Sequence, residues 1–203
     1  SLEYRALRGA AYAISGKYEY AYQDLFHPSL KEYSELDYWR AYTLAWLEDW
    51  RQAAEILPDD MYVLMDYPND LLQRIGLKLA EIALRNGDVL TAERLLAVIK
   101  INEDDLWPAK RANAAYLKGV AHSISGEYDL AKSFWVPLTK GYDDLFRAKA
   151  GLALVMLEYS QDEISAKEAI DRLEGLRFAW RGDELEAQIN FMLGRLYIEQ
   201  GVF

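Results

Sequence analysis

The chain has 203 residues, 52% hydrophobic and 13% aromatic, which can bury a sizeable core in one domain or one extended array and excludes a disordered chain. Its 33 acidic and 23 basic residues leave a net charge of −10, which repels a polyphosphate backbone and an anionic membrane surface, so nucleic acid is not an expected partner. The absence of cysteine excludes disulfides and thiolate chemistry and leaves cytoplasm and periplasm equally open, while the longest apolar run, 152–157, is far short of the ~20 residues of a membrane-spanning helix, so no membrane insertion is expected.

The first element, within SLEYRALRGAAYA, reads as a helix already under way rather than a leader peptide. It runs into the turn AYAISGKYEYA (11–21), which returns as AHSISGEYDLA at 121–131. The shared pattern, Gly-x-aromatic-x-x-Ala, falls on Gly16/Tyr18/Ala21 and Gly126/Tyr128/Ala131. A variant occupies Gly87/Val89/Ala92, and the copy at Glu48/Trp50/Ala53 loses its glycine. Before and after the third turn, Leu72, Ile75, Leu79, Ile82 and Ala83, then Val89, Ala92, Leu95, Leu96 and Ile99, recur at three- and four-residue intervals. That spacing predicts amphipathic helices, so each unit is a helix, a tight turn and a second helix. The glycine suits the left-handed conformation that ends many helices, and the alanine sits where two helices cross.

A further unit runs from DDLFRAKAGLALVMLEY into ISAKEAIDRLEGL, with Ala169 as its equivalent alanine, and the last helix ends in QGVF, where Gly201 and Phe203 restart the turn pattern. A second small residue stands seven positions before the turn residue: Gly9, Ala41, Ala80, Gly119 and Gly194. Two helical turns separate the members of each pair, which places both on one face where a neighbouring helix can come close. One pair of helices cannot bury its apolar face alone, so such units stack.

With its small residue (Gly9, Gly119, Gly194), the aromatic three positions later (Tyr12, Tyr197), the turn glycine and the second-helix alanine, the chain resembles the tetratricopeptide repeat family over essentially its whole length. The resemblance implies an all-α, right-handed solenoid, one array over 1–203 of about five helical hairpins. The repeats are longer than the family's commonest length, and the closing proline is not regularly placed, since Pro28, Pro58, Pro68, Pro108 and Pro137 fall irregularly. Around LEGLRFAWRGDELE the sequence is similar to long bacterial repeat proteins of uncharacterised role. Neither end carries the polar capping face usual in such arrays, so the chain is expected to be a segment of a longer array or to self-associate through its ends.

Catalytic and metal chemistry finds little to build on. The two histidines, His27 and His122, lack a second histidine or cysteine at ligand spacing, and His122 fills the slot that Tyr12 and Tyr197 fill elsewhere, as a packing residue would. The acidic pairs Asp59-Asp60, Asp104-Asp105 and Asp143-Asp144, with Asp183-Glu184, match no calcium loop and precede helical patterns, where carboxylates cap free N–H groups. Arg181-Gly182-Asp183 reads as a turn and cap rather than an adhesion motif. No enzyme, no cofactor and no metal are therefore expected.

The family register implies a concave surface lined by Tyr38, Tyr42 and Trp46, then Arg74, Glu81 and Arg85, then Asn113 and Tyr116, and finally Gln188 and Arg195. Aromatics mixed with arginine and asparagine suit a groove that binds a peptide or helix of a protein partner. Asn113 with Arg74 or Arg85 matches only part of the family's carboxylate clamp, so chaperone-tail binding is not expected. The function read from the resemblance is a non-catalytic interaction scaffold. Two other readings stand beside it: a structural spacer in a larger envelope or motility assembly, and a regulatory domain of a larger enzyme or sensor.

Overall fold

A computed structural model describes residues 1–99 and 108–201; the Asp104-Asp105 pair and Phe203 lie outside the described residues. Among the described residues the chain is all-helical, with twelve α-helices, two short 3-10 turns and no strand. It divides into two compact units, Ser1–Asn102 and Glu103–Phe203.

The first unit holds three helical hairpins: α1 (Leu2–Ile14) with α2 (Tyr18–Leu25), α3 (Asp37–Trp46) with α4 (Trp50–Glu55), and α6 (Asn69–Arg85) with α7 (Val89–Val98). A one-turn helix, α5 (Tyr62–Met65), fills the long connection between the second and third hairpins. The first helices of successive hairpins are neighbours, α1 beside α3 and α3 beside α6. Each hairpin turns on a residue with positive φ: Gly16 at 77°, Glu48 at 64° and Gly87 at 76°. Glu48 stands where the motif lost its glycine and still adopts the left-handed conformation, at a cost of roughly 1–2 kcal/mol. The repeat geometry therefore overrides local preference at this turn.

The core of this unit follows the predicted stripes. Ala21, Ala53 and Ala92 are fully buried at the helix crossings, with Leu25, Leu44, Ile75, Leu79, Ile82 and Leu95 between them. A Cβ on Gly9 would lie 2.8 Å from Leu25, so the absent side chain is what admits α2.

Two arginines lock the unit's first half. Arg8 donates through Nε and Nη2 to both carboxylate oxygens of Asp24, each at 2.6 Å, and Asp24 is only 4% exposed. Buried Arg40 donates to the carbonyls of Leu25 (2.9 Å), Leu30 (2.5 Å) and Tyr33 (3.1 Å) and to Asp37 Oδ1 (2.6 Å). It thereby ties α3 to the end of α2 and to the 26–36 connection, adding a second donor to the Leu30 and Tyr33 carbonyls, which already accept from Tyr33 N and Leu36 N.

The Arg8 hydrogen bonds hold the Asp24 carboxyl below the usual carboxylate range, against burial, which pushes it up. A native pKa below the unfolded value of about 3.9 adds stability that is complete above that pH and is lost as pH falls through the native value. Denaturant midpoints of the first unit, measured from pH 5 to pH 2, should fall along this limb. Asp24→Asn should lower stability at pH 7 and flatten the limb; an unchanged slope would show that Asp24 is not the titrating group.

The second unit holds α8 (Pro108–Ile124) with α9 (Tyr128–Leu138), α10 (Asp144–Ser160) with α11 (Ala166–Ala179), and α12 (Glu184–Glu199), which packs on α11. The turn at Gly126 has φ 78°, and Gly201, after α12, has φ 66°. Leu152, Val155, Ala169, Leu173, Leu185, Ile189, Leu193 and Leu196 form one core cluster, and Ala131, Trp135, Ala150, Leu154 and Leu157 another. Gly119 accepts the Trp135 ring so closely that a Cβ there would lie 2.2 Å from the indole nitrogen, which donates to the Tyr116 carbonyl at 3.1 Å.

Several acidic residues act as caps. Asp143 accepts from Phe146 N at 3.0 Å, Asp60 from Tyr62 N at 2.8 Å, and Asp183 from Leu185 N at 2.9 Å. His122 stacks on Phe134 and bonds Glu127 at 2.7 Å, which accounts for its place in the repeat.

Candidate functional site

On the first unit, Trp46 of α3 and Glu81 and Arg85 of α6 come together with three residues that the family register did not place on the binding surface: Tyr18, Trp50 and Lys78. The Tyr18 ring stacks on Trp46, with centroids 5.3 Å apart and planes 3° from parallel. Lys78 Nζ lies 4.1 Å from the Trp46 centroid and 5.3 Å from that of Trp50. Arg85 covers Trp50, its guanidinium carbon 3.8 Å from the ring centroid. The result is a ladder that starts with two stacked rings, Tyr18 and Trp46, and then alternates cation and ring through Lys78, Trp50 and Arg85.

The repeat itself builds this ladder. Tyr18 and Trp50 are the turn aromatics of the first two hairpins, and each opens a second helix. Trp46 and Arg85 each stand five residues beyond the small residue of a first helix, Ala41 or Ala80. Each turn aromatic therefore lies over the equivalent position of the next hairpin. Glu81 fixes the cations from α6, accepting from Lys78 at 2.7 Å and from Arg85 at 3.5 Å. Cation–π contacts contribute about 0.5–1 kcal/mol each at exposed sites and about 2 when desolvated, so Lys78, mostly buried between two indoles, gains most.

Trp46 is 44% exposed and carries the largest solvent-facing apolar surface of the ladder. Arg74, also exposed, donates to the Ile14 carbonyl at 2.6 Å and so joins α6 to the end of α1. Burial pushes the Tyr18 hydroxyl above its ordinary range, the nearby Tyr42 adds to the rise, and Arg74 opposes it.

Tyr38 and Tyr42 sit elsewhere than the family register implies. They are 2% and 1% exposed and belong to the core of the first unit. They fall within 38–45, eight consecutive residues of α3 that are all buried, whereas Trp46 is the last residue of the helix. Burial pushes the Tyr38 hydroxyl up to about 12, and that of Tyr42 has no hydrogen-bond partner among the described residues. Neither can meet a partner without unfolding α3, so the accessible part of the predicted set here is Trp46, Arg74 and Arg85, with Glu81 half-buried between cations.

In the second unit the predicted residues form no comparable ladder. Tyr116 is half-buried against Trp135 and Phe146, with Lys149 Nζ 5.6 Å from its ring centroid. Asn113 is half-buried one turn before it on α8. Gln188 and Arg195, both exposed on α12, bond Glu184 (3.2 Å) and Glu199 (2.8 Å) of their own helix.

Among the described residues no group of three or more His, Cys, Asp or Glu side chains could hold a metal ion, and no helix is long and apolar enough to cross a membrane. Compared with protein-family models, curated proteins and solved structures, the chain matches none.

Proposed function

We propose that the chain is a tetratricopeptide-like interaction scaffold, its hairpins stacking as a right-handed solenoid, and that the Trp46–Lys78–Trp50–Arg85 face of the first unit binds a segment of a protein partner. The observation that carries this reading is the exposed indole of Trp46 set among fixed cations. Trp and Arg held rigidly supply contact area with little entropy left to lose, which is the composition of interface hot spots. The exposed indole favours a segment that carries an apolar or aromatic side chain.

The test is affinity capture from native lysate with the wild-type chain and with a Trp46→Ala, Arg85→Ala double variant whose circular dichroism is unchanged. Tyr42 is left intact because it is core. A specific partner should lose about 100-fold in affinity, the sum of two hot-spot truncations of roughly 1–2 kcal/mol each. Identical captures would favour the spacer reading.

A further inference from the structure

The exposed side of α12 repeats a face that is covered in the other hairpins. Phe191, Gly194 and Ile198 follow one another at three- and four-residue intervals and so share one face of the helix. Phe191 is 71% exposed, Ile198 66%, and nothing lies within 4 Å of a Cβ built on Gly194. The equivalents of Gly194 in α3 and α6, Ala41 and Ala80, are fully buried. Three residues before those alanines stand Tyr38 (2% exposed) and Leu77 (3%), and four residues after them Ala45 (2%) and Leu84 (5%). In α1 and α8 the equivalent glycines lie under Leu25 of α2 and Trp135 of α9. Those two side chains each stand four residues after the crossing alanine, Ala21 or Ala131. Sister hairpins thus display both the bare face and what belongs on it.

We propose that the Phe191–Gly194–Ile198 face of α12 is a docking site for one amphipathic partner helix, packed as α2 and α9 pack on α1 and α8. Its recognition element is a small residue followed four positions later by leucine or tryptophan. The large side chain seats over Gly194, and the apolar side of the helix covers Phe191 and Ile198. Selectivity comes from Gly194, because any larger residue there fills the space the incoming side chain needs. The site belongs to the second unit, and the proposal does not depend on the ladder of the first.

The probe is a fluorescein-labelled, helix-stapled peptide with the chain's own α9 sequence, 126–140, titrated against the intact chain by anisotropy. Hydrogen exchange of α12 is measured in parallel. The expected result is saturable binding that slows exchange in α12. Gly194→Leu should weaken it by at least about tenfold, while Gly175→Leu, at an equally open glycine of α11, should leave it unchanged. A peptide carrying Trp135→Glu should not bind. Equal binding by the Gly194→Leu variant would overturn the proposal, as would no saturation by about 1 mM peptide. Self-association that Phe191→Glu dissolves would overturn it in favour of a second copy as the occupant.

Discussion

Gly119→Ala should destabilise the second unit by about 2–4 kcal/mol, even though alanine is the better helix former by about 1 kcal/mol. The added Cβ would meet the Trp135 ring at 2.2–2.7 Å, and the indole cannot swing aside without leaving a core position where it is 3% exposed. It would also lose its bond to the Tyr116 carbonyl, stranding an indole N–H that water does not reach freely. Gly194→Ala, at the equivalent position of α12, should do the opposite and stabilise by about 0.5–1 kcal/mol, since the new methyl meets nothing. Denaturant unfolding followed by hydrogen exchange in α8, α9 and α12 reads both. Equal effects at the two glycines would show that packing against the second helix does not distinguish them.

Arg40→Ala should cost the first unit about 3–5 kcal/mol, the range for removing one partner of a buried charged network. The Leu25, Leu30 and Tyr33 carbonyls and the Asp37 carboxylate would lose the guanidinium together, and those of Leu30 and Tyr33 would keep only the single backbone bonds from Tyr33 N and Leu36 N. Arg40→Lys should recover little of the loss, because one ammonium group cannot reproduce the spread of donors that a planar guanidinium supplies from Nε, Nη1 and Nη2. The check is the midpoint of guanidinium unfolding, with proteolysis at residues 26–36 as a local readout. A lysine variant as stable as wild type would mean that the carbonyls find water instead.

The hairpins were legible because their punctuation is chemical. A left-handed glycine, an aromatic two residues on and a crossing alanine are required by geometry, so they survive as a pattern. Even Glu48 keeps the turn, since its neighbours Trp50 and Ala53 still specify it. The one-turn α5 and the 3-10 turns of 26–36 were not legible: they have no periodic stripe, and at 26–36 the side chain of Arg40 from the following helix holds the connection.

The candidate site was legible in part, for a physical reason. A tyrosine can serve as core or as surface anchor, and a register alone does not choose between them. Position along α3 does: Tyr38 and Tyr42 lie in a stretch buried on every side, and Trp46 is the last residue of the helix. Tyr18 and Trp50 escaped notice because their positions read as hairpin punctuation, and their second role depends on the next hairpin lying beneath them. Lys78 escaped because nothing local marks a lysine that ends up between two indoles.

The most direct test of the scaffold reading is hydrogen exchange of the intact chain with and without a partner obtained by capture, with tryptophan fluorescence measured alongside. Slowed exchange in α3, the α3–α4 turn and α6, with a spectral shift lost in Trp46→Phe, is the predicted result. Protection confined to other helices, with the ladder tryptophans unperturbed, would contradict it.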